Sequence, residues 1–79
     1  MQPDSPVRCY VGLKQSTEAV TDGLVKKAYI ALDADEHVRL PFETLCREKN
    51  VPVEFAETKS KLGKSFGINV PAAVAVELN

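Results

Sequence analysis

Apolar positions recur along this chain in two alternating rhythms. Val7, Cys9 and Val11 fall on one side of a stretch whose other side holds Arg8 and Tyr10, and that alternation predicts a half-buried strand. The next segment, Gly12–Gly23 (GLKQSTEAVTDG), changes to a helical pattern. Lys14, Gln15 and Ser16 open it, Ala19 and Val20 form its buried stripe, and Gly23 stands where a left-handed C-cap belongs. Leu24–Lys27 is expected to be a short link. Ala28–Leu32 (AYIAL) is then a nearly continuous apolar run, the signature of a strand covered on both faces. Asp33-Ala34-Asp35 follow as a strand-end loop and a helix-start signal.

Within Glu36–Lys49, residues Phe42, Leu45, Cys46 and Lys49 recur at i, i+3, i+4 and i+7, which turns one face of a helix toward the core. Pro41 leaves two alternatives: the helix starts near Leu40 with proline in its first turn, or a longer helix carries the proline as a kink. Asn50 and Pro52 end it. Val51–Ala56 alternates through Val51, Val53 and Phe55 as a third strand. Thr58 is a good N-cap for a helix over Lys59–Phe66, in which Leu62 and Phe66 point inward and Gly67 terminates. Ile68–Pro71 reads as a short apolar loop and Ala72–Leu78 as a last buried strand. Strand and helix alternate throughout, which argues for an α/β domain with helices on both faces of one sheet. Ligands in such sheets sit at the loops beyond strand ends: here around Gly12–Gln15, Asp33–Glu36 and Ile68–Pro71.

Composition narrows the function classes. The 79 residues suffice for one domain, and a 44% apolar, 27% charged composition is ordinary for a globular fold. Met1–Pro6 holds two prolines and no apolar pattern, so residues 1–6 are expected as a loose arm before a single domain over 7–79. The N-terminus lacks a basic start followed by an apolar run, and no apolar stretch approaches ~20 residues. A cytoplasmic protein without a membrane partner is therefore expected. Cys9 and Cys46 are then reduced and act as small hydrophobes, each in an apolar setting. With His37 they give scattered candidate ligands without ligand spacing, where a structural zinc site needs about four, so neither metal nor other cofactor is expected. A net charge of −1 argues against nonspecific nucleic-acid binding, which favours strongly basic proteins, but is compatible with a local patch that reads one shaped site.

No catalytic constellation is present. His37 has no evident partner, Asp33 and Asp35 are explained by capping, and Gly63 and Gly67 flank a helical turn rather than a strand-to-helix phosphate loop. An enzyme is not expected.

Two segments together carry a resemblance: Gly12–Gly23, and the run Lys61-Leu62-Gly63-Lys64-Ser65-Phe66-Gly67-Ile68-Asn69-Val70-Pro71-Ala72-Ala73-Val74-Ala75-Val76. With the Leu32-Asp33-Ala34-Asp35 turn and the passage Leu45–Pro52, the chain from Val11 to Leu78 resembles the kink-turn RNA-binding ribosomal protein family. This is the large-subunit protein 7Ae type with its short bacterial paralogues. The resemblance implies a three-layer α/β/α sandwich around a small mixed four-stranded sheet. It also implies binding to a kink-turn, a bent RNA duplex with tandem sheared G·A pairs and a flipped bulge nucleotide, in ribosomal RNA or a structured non-coding RNA. A structural or ribosome-associated role and a monomer are expected with it.

The family's helix opening, Gly-x-Asn-Glu-x-x-Lys, falls on Gly12, Leu13, Lys14, Gln15 and Glu18. Lys14 stands at the Asn place and Gln15 at the Glu place, as in the short bacterial paralogues. Lys14 can donate to guanine O6 and N7, and the Gln15 amide can donate and accept at base edges. The resemblance further implies RNA contacts for Asp33, for Lys59 as a phosphate partner, and for Ile68, Asn69, Val70 and Pro71 as the apolar cover of the flipped nucleotide. Lys26, Lys27, Lys61 and Lys64 would add to the local field. Glu18 and Asp22 depart from the pattern, being acidic where the family carries Lys and often a basic residue. Each phosphate contact contributes roughly 0.7–0.9 to the logarithmic salt slope, and replacing two cations by two anions removes such contacts and adds repulsion, so weaker, more salt-sensitive RNA binding than in typical members, or a changed ligand, is expected. The alternative is a protein-interaction module of the same fold, in which these two acids have abolished RNA binding and the Ile68–Pro71 loop docks a partner.

Overall fold

The computed structural model describes residues 9–79; the loose arm over 1–6, and Val7 and Arg8 of the first strand, lie outside the described residues. In chain order the elements are β1 (Cys9–Val11), α1 (Leu13–Thr21), β2 (Val25–Ala31), α2 (Glu36–Glu48), β3 (Val53–Ala56), α3 (Lys59–Ser65) and β4 (Val74–Leu78). The strands form one four-stranded sheet in the order β1-β4-β2-β3. β4 runs antiparallel to both β1 and β2, and β3 runs parallel to β2. The sheet is mixed, as expected.

Two apolar cores flank it. On one face Ala19 and Val20 of α1 and Phe42 and Cys46 of α2 pack on Ala28, Ile30, Val74 and Val76. On the other face Leu62 of α3 packs with Ala31, Ala34, Ala72 and Ala75. The helices therefore lie on both faces, which makes the three layers. The split follows from the strand alternation of Ala28 and Ile30 against Tyr29 and Ala31.

Local signals set the helix ends. Gly23 takes φ 73 just beyond the Asp22 C-cap of α1. Asp35 Oδ1 accepts the His37 amide at 2.8 Å, which fixes the start of α2. Asn50, at φ 59, turns the chain out of α2. Of the two alternatives for Pro41, the longer helix is the one formed: Pro41 lies inside α2. The carbonyl it leaves without an intrahelical donor is that of His37, and both residues are exposed. Thr58 Oγ1 accepts the Lys61 amide at 3.0 Å and caps α3.

Val25–Lys27 is not a link but the start of β2, paired to β4, with Lys26 as the extra residue of a bulge between Val25 and Lys27. The lysines concealed this, yet Lys27 pairs with Glu54 across the sheet at 2.5 Å, so its charge is tolerated there. Leu32 falls past the end of β2 and is 55% exposed. β3 and β4 start later than expected, and Lys49 caps α2 at its exposed end instead of sharing its core face. Cys9 is exposed, at the margin of a cleft lined also by Tyr29, Leu62 and Phe66, because β1 is an edge strand and the seven-residue α3 lies over β2, β3 and β4. Phe55, on the other edge strand, is exposed as well.

The Ile68–Pro71 loop is held against α3. A Cβ built on Gly63 would stand 2.1 Å from the Val70 carbonyl oxygen, so only glycine lets this backbone approach so closely. Gly63→Ala is expected to destabilise the fold by about 1–3 kcal/mol, read as a lower thermal midpoint; an unchanged midpoint would contradict this packing. Burial pushes the Cys46 thiol up to about 11, so it should resist alkylation in the folded protein while exposed Cys9 reacts. Mass spectrometry should find one alkyl group on the native chain and two after unfolding; two on the native chain would contradict the burial of Cys46.

Candidate nucleic-acid interface

β1, β2 and β3 end, and β4 begins, at one edge of the sheet, because β4 is antiparallel to β1 and β2 and β3 is parallel to β2. Three hydrogen bonds tie the segments there. The Gly12 amide donates to Val74 O at 3.0 Å, and the Ala72 amide donates to Lys59 O at 3.1 Å. The Lys59 amide donates to Asp33 Oδ1 at 2.8 Å. The starts of α1 and α3, the β2–α2 loop and the loop before β4 therefore form one continuous rim.

Gly12 stands at φ 113, and a Cβ added there would meet no atom within 4 Å, so its backbone angle, not crowding, demands glycine. It is the N-cap of α1 and offers no side-chain cap. Since the first intrahelical bond runs from Ser16 N to Gly12 O, the amides of Leu13, Lys14 and Gln15 have no partner within the helix. All three residues are exposed. A nine-residue helix with bare N–H groups, positive dipole end and an unpaired lysine beside them is a surface suited to anions.

Across the rim, Asn69, Val70 and Pro71 are exposed and Ile68 is half-buried, its amide bonded to Gly63 O at 3.1 Å. Val70 is 61% exposed, an apolar surface held by backbone contacts. Lys59 is half-buried and has no carboxylate partner among the described residues. Asp33 spends one carboxylate oxygen on the α3 start, so its first task is to hold α3 against the β2–α2 loop. Glu18 and Asp22 line one shallow depression of about 220 Å³ together with Gln15 and Tyr10. Both acids therefore share a side of α1 with Gln15.

The lysines expected to build a field divide. Lys27 is held by Glu54, and Lys61 is held by Glu57, which is lowered below the usual carboxylate range by that lysine. Neither adds a free cation. Lys14, Lys59, Lys26 and Lys64 have no ion-pair partner among the described residues. Two residues at this edge went unforeseen. Leu32 adds an exposed apolar side chain beside Asp33, and Arg39, in the first turn of α2, buries its Nε without a hydrogen-bond partner. The Asp33–Asp35 turn signal was the available hint that Leu32 lies outside the strand.

Residues 5–79 match the ribosomal protein L7Ae/L30e/S12e/Gadd45 family. An RNA-binding protein of Caldanaerobacter subterraneus subsp. tengcongensis is 37% identical over 78 residues, which cover 99% of this chain and 95% of that protein. RNA-binding proteins of Staphylococcus aureus are 36% identical over 64 residues, 81% of this chain and 76% of theirs. Among solved structures, the 15.5kD RNA binding protein of Giardia lamblia matches with a TM-score of 0.82 at 29% identity, over 90% of this chain. This chain spans 60% of the Giardia protein's length. A Bacillus halodurans protein of unknown function, at 22% identity and a TM-score of 0.81 over 90% of this chain and 71% of its own, shares the fold.

If Glu18 and Asp22 face an RNA backbone, Glu18→Lys with Asp22→Arg should tighten RNA binding and steepen its salt dependence by about 1–2 in log–log slope. A salt titration with unchanged affinity and slope would show that this side of α1 faces away from RNA.

Proposed function

The chain belongs to the ribosomal protein L7Ae/L30e/S12e/Gadd45 family, and on that premise we propose that it is a monomeric, cytoplasmic RNA-binding protein that reads a kink-turn at the rim described above. The family sets it among RNA-binding proteins and not among enzymes. The observation that carries the finer reading is the joining of the α1 start and the Ile68–Pro71 loop into one rim by the Gly12–Val74, Lys59–Ala72 and Asp33–Lys59 hydrogen bonds. A kink-turn offers two features side by side that such a rim suits: purine edges in the sheared pairs and an unstacked base.

Gly12 lets the RNA approach the backbone, and the bare amides of the first turn of α1 receive phosphate. Lys14 donates to guanine O6 and N7, while Gln15 donates and accepts at the partner base. Val70 and Pro71, with Ile68 beneath, cover the flipped nucleotide, and Asn69 supplies a polar group at its margin. Lys59 meets a phosphate. Asp33 contributes by holding the α3 start in place. Glu18 and Asp22 oppose the phosphates, which favours recognition by shape over general electrostatics. The RNA is ribosomal or a structured non-coding RNA, with ribosome association as the setting.

Gln15→Ala should weaken binding to a kink-turn RNA by about 1–3 kcal/mol, the loss expected when a base-reading pair is removed, with the thermal midpoint unchanged because Gln15 is exposed. Equal affinity of the variant and the parent, measured by titration, would remove Gln15 from the interface.

A further inference from the structure

Charge is spread unevenly along the rim. On one side of α1, Glu18 and Asp22 stand beside Gln15, and neither has a cationic partner among the described residues. A polyanion laid on this edge is repelled along that side, so cations that hold its backbone have to stand elsewhere. Lys59, at the α3 start, is one. Arg39, in the first turn of α2, is a second.

α2 begins where β2 ends, so its first turn lies at the rim. Arg39, Glu43 and Arg47 stand at i, i+4 and i+8 and share one side of the helix. Glu43 and Arg47 line a shallow depression with Val51 and Val53. That side therefore overlooks β3, and Arg39 is its rim end. Side chains on a helix lean toward its N-terminus, which carries Arg39 toward the rim. The residue is half-buried, and its Nε is buried without a hydrogen-bond partner. Among the described residues no hydrogen bond or ion pair engages the guanidinium. The carboxylates near it in the chain do not neutralise it. Asp33 Oδ1 accepts the Lys59 amide and Asp35 Oδ1 the His37 amide, each at 2.8 Å. Glu43 pairs with Arg47 at 3.4 Å, and exposed Glu36 forms no ion pair among the described residues.

A guanidinium carries a permanent charge and five N–H donors. A fully exposed arginine without partners is solvated and needs none. Arg39 differs, because its Nε is closed to water and the chain supplies no acceptor in exchange, which costs stability. An oxyanion is the group that such a fork fits. We infer that Arg39 takes a phosphate of the RNA bound at the rim. This rests on the RNA reading and adds to it a place for the backbone: Arg39 and Lys59 hold it at the α2 and α3 starts, while the acidic side of α1 keeps it away. A carboxylate of a partner protein has the same fork chemistry. RNA is the better occupant because the turn before α2 is tied to the α3 start and so belongs to the same continuous rim as Gly12.

Salt titrations of RNA affinity test it, using the full-length protein, a kink-turn RNA and a control whose sheared G·A pairs are Watson–Crick pairs. Arg39→Gln is expected to lower the log–log salt slope by roughly 0.7–0.9, the share of one phosphate contact. Arg39→Lys, which keeps the charge, should retain most of the slope. Lys49→Gln removes the same charge from the exposed far end of α2 and should lower the slope by less than about half as much. Phosphate contacts carry no sequence information, so Arg39→Gln should keep the parent's preference between the two RNAs. Its thermal midpoint should not fall, since Nε has no partner to lose. An unchanged slope in Arg39→Gln, an equal loss in Lys49→Gln, an equal loss in Arg39→Lys, or a lower midpoint without a change of slope would each overturn the inference. If the parent binds both RNAs alike, the kink-turn reading fails and the Arg39→Gln slope still decides the inference; a folded parent that binds neither RNA overturns both.

Discussion

A single backbone geometry at the end of β1 sets up the rest of the functional edge. Gly12, at φ 113, sends its amide to Val74 O and its carbonyl to Ser16 N. The first bond fixes the β1–α1 junction against the start of β4; the second starts α1 at the sheet edge. A side chain there would strain a conformation that L residues rarely adopt. Were the turn to relax, α1 would lose its placement, and the amides of Leu13–Gln15 would no longer stand on the same rim as the loop that precedes β4.

The opposite wall of the rim depends on a second pair of constraints, both long in sequence. Asp33 and Lys59 are 26 residues apart, and their hydrogen bond joins the β2–α2 loop to the α3 start. Gly63 then admits the Val70 carbonyl against α3. Val70 can remain 61% exposed because its position is set by its backbone and not by burial of its side chain. An apolar group held open to solvent in this way costs little stability and is available to a ligand that brings its own apolar surface.

The sequence was readable where the cause was local. The Gly23 and Asn50 turns and the Asp35 and Thr58 caps act within a few residues, and each stands where composition and spacing put it. It was less readable where strand order decides. Cys9 and Phe55 have the apolar character of inward positions, yet both sit on edge strands, and nothing near them in the chain tells an edge from a centre. The lysines of β2 hid three residues of strand because their acceptance depends on Glu54 and on β4, far along the chain. For the rim, the separate pieces at Gly12–Gln15, Asp33 and Ile68–Pro71 were legible as loops at strand ends. Their joining was not, since it rests on an antiparallel β4 and the Asp33–Lys59 bond. The same topology sets Lys27 against Glu54, whereas Lys61 is held by Glu57 only four residues away.

On the function proposed above, this rim recognises the shape of a kink-turn through its G·A pairs. Gel-shift titration against a kink-turn RNA, alongside a control whose sheared G·A pairs are changed to Watson–Crick pairs, tests it most directly. Binding to the kink-turn at least about tenfold tighter than to the control is the predicted result, a difference of roughly 1.4 kcal/mol. Equal binding to both RNAs, or binding to neither by folded protein, would contradict it.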